Sequence, residues 1–222
     1  GISTCGNTGS DPDDMKFDIH RINIGHTTAS VLILDENADG VPDLVTTGGG
    51  RLTVIRGNGA GRFEAHKTFT AGEHPVNLAS GDLDQDGWLD LVIANHETTY
   101  LTLFFGGNNG FHPDRSKRLT VDVLPHPHAV AVADIDEDGL PDILTDDRNR
   151  ECLRVYMGRG DGTFEPGDSI DVGGDPYRGM TLADINGDDH LDVITPNPRS
   201  ISIQLGDGTG TCPDGPVAGV ER

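Results

Sequence analysis

With 222 residues, 34% of them hydrophobic and 5% aromatic, the chain is long enough to bury a sizeable core, and its 31 glycines and 13 prolines imply many turns. Its 16 basic against 37 acidic residues leave a net charge of −21, which argues against nucleic acid or an anionic membrane surface as partner, because both demand clustered Lys and Arg. No apolar run approaches the roughly 20 residues needed to span a bilayer, and no cleavable leader is legible at the start of the sequence.

Residues 1–14 are rich in Gly, Ser, Asn and Asp, with almost nothing to bury, and are expected to form a tail. Residues 17–24 read as a strand whose apolar alternation slips between Ile19 and Ile22, the mark of a bulge at His20 and Arg21, and Gly25 closes it. From there the chain repeats. The first unit holds Asp35, Asn37, Asp39 and Asp43 at positions 1, 3, 5 and 9 of a nonapeptide with Gly40 at position 6. Short apolar runs follow at 44–46 and 52–55, then a glycine turn, then a run at 67–71. The second unit repeats the pattern with Asp82, Asp84, Asp86 and Asp90, then runs at 91–94, 101–104 and 119–123. The third has Asp134, Asp136, Asp138 and Asp142, then runs at 143–145, 153–156 and 169–172. The fourth has Asp184, Asn186, Asp188 and Asp192, then runs at 193–195 and 201–204. A strand of small residues leads into each later loop, at 78–81, 129–133 and 181–183.

The spacing carries chemistry. Alternate residues of a sharply curved backbone turn their oxygens inward, and a hard cation such as Ca2+ takes six to eight oxygens at roughly 2.3–2.6 Å. The expected ligands are the side chains just named, together with the backbone carbonyl at position 7, contributed by Val41, Trp88, Leu140 and His190 by analogy with other calcium loops. Up to four Ca2+ ions are therefore expected. Positions 1, 3, 5 and 9 of the four loops alone hold fourteen carboxylates, so much of the acidity is metal-site chemistry. The fourth loop departs from the others, with Asp189 where they have glycine, so Asp189 must take a left-handed conformation and this site is expected to be the weakest.

The loops begin at 35, 82, 134 and 184, a period of about 50 residues, and no segment shows sustained helical periodicity. Short antiparallel strands at that period describe the blades of a β-propeller. The fold expected is thus all-β, a propeller of four repeated four-stranded antiparallel blades over residues 15–216, with tails at 1–14 and 217–222. Because the fourth unit lacks its last strand, residues 17–24 are expected to complete that blade, hiding an otherwise open sheet edge. Closure would bring Cys5 close to Cys212, so a Cys5–Cys212 disulfide is expected; lipidation of Cys5 is the competing use. Cys152 heads an apolar run and reads as a buried thiol.

The loop with its DxDxDGxxD signature and the glycine turn at 158–164, taken together, resemble the FG-GAP and VCBS repeat families. That resemblance implies a calcium-dependent extracellular propeller of the kind found in integrin-like heads, lectins and surface proteins. The function expected is a non-catalytic, secreted or cell-surface binding or adhesion module for a glycan or protein ligand. The alternatives are a structural subunit of a surface filament or assembly, and a polysaccharide-active hydrolase or lyase. No HExxH, GxSxG or phosphate-loop pattern is present, and the close carboxylate pairs all belong to the repeated loops. Three features stand outside the repeat. Arg159-Gly160-Asp161 matches an integrin-recognition tripeptide but sits in a glycine turn. Trp88 is placed either to stack on a ligand or to pack over a neighbouring blade. The histidines at 26, 74, 126 and 128 precede first strands and mark either turns or transition-metal ligands on one rim.

Overall fold

The computed structural model describes residues 20–64, 66–121, 123, 127–176 and 179–210. Among the described residues fifteen strands form four antiparallel sheets, each an up-and-down meander in chain order. The first comprises β1 (Ser30–Leu34), β2 (Asp43–Gly48), β3 (Arg51–Ile55) and β4 (Lys67–Thr70). The second comprises β5 (Pro75–Gly81), β6 (Asp90–Asn95), β7 (Tyr100–Phe104) and β8 (Ser116–Thr120). The third comprises β9 (Val130–Ala133), β10 (Asp142–Asp147), β11 (Cys152–Gly158) and β12 (Phe164–Asp171), and the fourth β13 (Thr181–Ala183), β14 (Asp192–Pro196) and β15 (Ile201–Gln204). Every carboxylate loop joins the first two strands of a sheet, and its ninth residue opens the second strand. The lead-in strands β1, β5 and β9 stand next to one another, as inner strands of a propeller do.

Two outer strands start earlier than the apolar pattern indicates. β8 begins at Ser116 and β12 at Phe164, and both are rich in exposed polar residues. An outermost strand has one free edge and little burial, so its ladder leaves a weak trace in the sequence.

The core lies between sheets, because each strand alternates and both faces of an inner sheet are covered. Leu34, Val45, Leu52 and Val54 pack against Leu78, Leu91, Ile93 and Phe104 of the second sheet. Leu83, Val92, Leu101 and Leu103 pack against Val130, Ile143 and Tyr156 of the third. Ile135, Leu144, Leu153 and Val155 pack against Val193 of the fourth.

The two end faces of this array differ from the inner ones. Val31 and Ile33 on the outward face of the first sheet are 65% and 67% exposed, and Ile185 and Ile201 on the outward face of the fourth are 50% and 67% exposed. The residues at equivalent register in the second sheet, Leu78 for Val31 and Leu83 and Leu101 for Ile185 and Ile201, are buried. Among the described residues the first and last sheets thus do not cover each other.

The closing strand expected at 17–24 is not found among the described residues. Residues 20–24 pair with no strand. Instead His20, Ile22 and Ile24 line a cavity of about 350 Å3 with Leu44, Thr46 and Ile55 on the outward face of the first sheet. Ile24 is half-buried on that face and Ile22 stays 39% exposed. Residues 17–19, Cys5, Cys212 and both tails lie outside the described residues. Cys152 is a buried free thiol, and burial pushes its pKa up.

Candidate metal centres

The ninth residue of each loop does a job that the sequence pattern hides. Asp43 accepts from the Glu36 N–H at 3.0 Å and the Gly57 N–H at 2.8 Å. Asp90 accepts from Leu83 at 2.8 Å and Gly106 at 2.7 Å, Asp142 from Ile135 at 3.0 Å and Gly158 at 2.7 Å, and Asp192 from Ile185 at 2.8 Å and Gly206 at 3.0 Å. All four carboxylates are buried. Each ties the start of its loop to a glycine at the end of the third strand or two residues beyond it. Those partners are glycines for a steric reason: a Cβ on Gly57, Gly106, Gly158 or Gly206 would collide with the backbone carbonyl oxygen of Pro42, Leu89, Pro141 or Leu191, which is position 8 of the loop in every case.

The turn itself is built from side-chain acceptors. The position-5 carboxylate accepts the position-7 N–H: Asp39 from Val41 at 2.8 Å, Asp86 from Trp88 at 3.0 Å, Asp138 from Leu140 at 2.8 Å, Asp188 from His190 at 3.0 Å. The position-1 carboxylate accepts the position-6 N–H: Asp35 from Gly40, Asp82 from Gly87, Asp134 from Gly139 and Asp184 from Asp189, at 2.8–3.0 Å. Position 6 is left-handed throughout, with Gly40, Gly87 and Gly139 at φ 82°, 87° and 86° and Asp189 at 71°. The fourth loop moves its glycine to position 4, where Gly187 stands in the left-handed region that Ala38, Gln85 and Glu137 occupy in the other loops.

The loops differ in how far their carboxylates converge. One oxygen each from Asp82, Asp84 and Asp86, and one each from Asp134, Asp136 and Asp142, lie within 4.8 Å of one another. In the first and fourth loops position 3 is an asparagine whose amide donates to the position-5 carboxylate, Asn37 to Asp39 at 2.9 Å and Asn186 to Asp188 at 2.8 Å. Those loops hold themselves together internally. In the second and third, like charges face each other.

A cation fits the second and third clusters. Asp84 Oδ1 and Asp134 Oδ1 are buried and accept no hydrogen bond, a costly state that a bound ion relieves. Burial, then the neighbouring Asp86, pushes the Asp84 pKa up, and burial, then the charges of Asp138 and Asp134, raises that of Asp136. Burial raises Asp90 and Asp142 to about 6 in the metal-free protein, although each accepts two backbone N–H groups. In the fourth loop the N–H groups of Gly187 and its neighbours hold Asp184 below the ordinary range instead. The donor set is all oxygen and all hard, which suits Ca2+ and not a soft metal.

Residues outside the nonapeptides adjust each centre. Arg115 reaches the second loop, with Nη2 3.1 Å from Asp86 Oδ2 and 3.5 Å from Asp84 Oδ2. Glu36, at position 2 where the other loops have Leu83, Ile135 and Ile185, is buried, pairs with Arg56 at 3.0 Å and accepts the Phe111 N–H at 2.7 Å, joining the first sheet to the second. Its acidity at an otherwise apolar position was the available sequence signal. Nothing local foretold Arg115, 29 residues from Asp86. Adjacent loops also touch: Gln85 donates to the Gly139 carbonyl at 3.2 Å, and Glu137 bonds His190 at 2.6 Å and raises its pKa.

The Arg159-Gly160-Asp161 tripeptide is engaged within its own turn. Arg159 pairs with Glu165, and Asp161 accepts both the backbone N–H and the hydroxyl of Thr163. Trp88 is half-buried, with its Cβ close to Gly106.

The sequence profile of the FG-GAP-like repeat matches residues 35–93, 82–145 and 144–195, which take in all four loops. No curated protein matches the chain. Among solved structures, a lectin from Agrocybe aegerita, described as specifically recognising non-reducing terminal N-acetylglucosamine, is similar at TM-score 0.54 and 21% identity over 82% of this chain and 49% of that one. The likeness is one of fold, and the chain spans about half the length of that lectin. A Photorhabdus luminescens Tc holotoxin pore (TM-score 0.46, 18% identity, 85% of this chain, 9% of that one) and a protein from Lactobacillus plantarum (0.46, 14%, 83% and 51%) are more distant.

Proposed function

The chain belongs to the FG-GAP-like repeat family, and on that premise we propose that it is a calcium-binding β-propeller module that acts outside the cell, without catalysis, its metals serving as scaffold and its rim loops engaging a glycan or protein ligand. The observation that carries this reading is the convergence of like-charged carboxylates at Asp82, Asp84 and Asp86 and at Asp134, Asp136 and Asp142, with one buried oxygen of Asp84 and one of Asp134 accepting no hydrogen bond. Such groups repel one another in the metal-free chain and bind a divalent cation with the native state only, which stabilises it by about 2.7 kcal/mol per site at 100 times the dissociation constant. The fold of the lectin relative favours glycans as the first ligand class to screen. A glycan array with and without EDTA, run beside thermal unfolding, tests both halves: calcium-dependent melting with calcium-dependent glycan capture supports the reading, and an unchanged melting curve in EDTA overturns it.

The exposed end faces favour a second reading, a subunit that assembles. Each inner interface joins the outward-facing residues of one sheet to the inward-facing residues of the next, and the two uncovered faces are one half of each kind. We propose that the occupant is a second copy, its fourth sheet on the first sheet of its neighbour, a head-to-tail contact that closes into a ring or runs on as a filament. Sedimentation across a concentration series shows association that Ile201→Lys or Val31→Lys abolishes. A strict monomer at every concentration removes this reading.

A further inference from the structure

At the other end of the strands stands a cluster of different chemistry. His74 and His128, ahead of lead-in strands, and the turn after β6 come together where β5 opens. A β-bulge between Pro75 and Asn77 shifts the register of β5 on β6, and the His96 N–H donates to the His74 carbonyl at 2.9 Å. This holds residue 74 directly beside residues 96 and 97. His74 and Glu97 both adopt left-handed backbone conformations without being glycine, at φ 43° and 61°, which turns their side chains toward one another. His74 Nδ1 lies 3.0 Å from Glu97 Oε2, and one ligand atom from each of His74, His96 and Glu97 lies within 4.8 Å of the other two.

We propose that His74, His96 and Glu97 form a binding site for a divalent transition-metal ion of the zinc class, separate from the carboxylate loops. Two imidazoles and one carboxylate are the donor set that such ions take, whereas calcium takes oxygens alone. A tetrahedral ion with bonds of about 2.0–2.1 Å sets its ligand atoms about 3.3 Å apart. The His74–Glu97 separation already meets that figure, and rotation of the His96 side chain supplies the third ligand.

Three protein ligands leave a coordination position open. The His96 ring also borders a cavity of about 400 Å3 lined by Ala29, Val76, Asn77 and His128, in which the His96 and His128 rings stand with centroids 4.6 Å apart. The seven residues of β5 separate this site from the Asp82 loop by roughly 20 Å, so the two kinds of metal do not compete for ligands.

Calorimetric titration of Zn2+ into the calcium-saturated full chain tests the site, with the d–d spectrum of Co2+ as a second readout of coordination. One equivalent is expected, with affinity falling at least tenfold in His74→Ala and in His96→Ala, and unchanged in His112→Ala, a surface histidine elsewhere. Circular dichroism of each variant guards against loss of fold. Absence of binding below 100 micromolar Zn2+, or binding that survives both His74→Ala and His96→Ala, overturns the proposal. Failure here leaves the calcium reading standing, because calcium occupies the carboxylate loops throughout.

Discussion

Replacing Gly106 by alanine isolates the close approach that shapes every loop. Gly106 has no positive φ, so its backbone conformation is open to any residue, and only space forbids a side chain. A Cβ there runs into the Leu89 carbonyl oxygen and lies 3.2 Å from both the Leu89 carbonyl carbon and Trp88 Cβ. Relief requires strand β7 and the loop to part, which breaks the 2.7 Å bond from the Gly106 N–H to the buried Asp90 carboxylate. Overpacking costs about 1–3 kcal/mol and loss of a hydrogen bond to a charged group about 1.5–3 kcal/mol, so about 4 kcal/mol is expected. For a domain of this size that lowers Tm by roughly 10 °C. Gly87→Ala is the control. Gly87 has φ 87° with nothing within 4 Å, so its replacement costs about 1 kcal/mol of backbone strain alone. Thermal unfolding of both variants in EDTA keeps metal out of the comparison. Equal, small losses for Gly106→Ala and Gly87→Ala would refute the reasoning.

Asp84→Asn raises Tm in EDTA by relieving the charge facing Asp86 and diminishes the gain on adding calcium; a loss of stability in EDTA would show that the contact with Arg115 outweighs that repulsion. Arg115→Gln removes the cation beside Asp84 and Asp86 and strengthens calcium binding at the second loop several-fold, read by calorimetry, with a smaller effect at high salt. Asp90 and Asp142, raised from 3.8 to about 6, bind protons more tightly folded than unfolded, so their stabilising contribution is full below pH 3.8 and is lost as pH rises through 6. In EDTA the chain is therefore more stable at pH 5 than at pH 7, by on the order of 1 kcal/mol for each group, while saturating calcium, which requires ionised carboxylates, reverses the trend; melting curves at the two pH values with and without calcium give the signs.

The sequence alone determined what is local and repeated. Nine-residue loops with acids at fixed positions, flanked by runs alternating with period two, specify a turn, two strands and their connection before any tertiary contact is known, because those features depend only on neighbours along the chain. The left-handed backbone at Asp189 was legible for the same reason. Only the tertiary structure decided what depends on distance across the chain. It showed that Asp43, Asp90, Asp142 and Asp192 clamp backbone N–H groups as much as they offer oxygens to a cation, because their partners lie 14 to 16 residues downstream. It brought Arg115 onto the second loop and left the first and fourth loops internally bonded, so that four similar motifs became unequal centres. It laid residues 20–24 over the first sheet, where Ile24 is half-buried and Ile22 stays 39% exposed without a ladder, since an apolar residue is held by any surface within reach and its pattern does not say which.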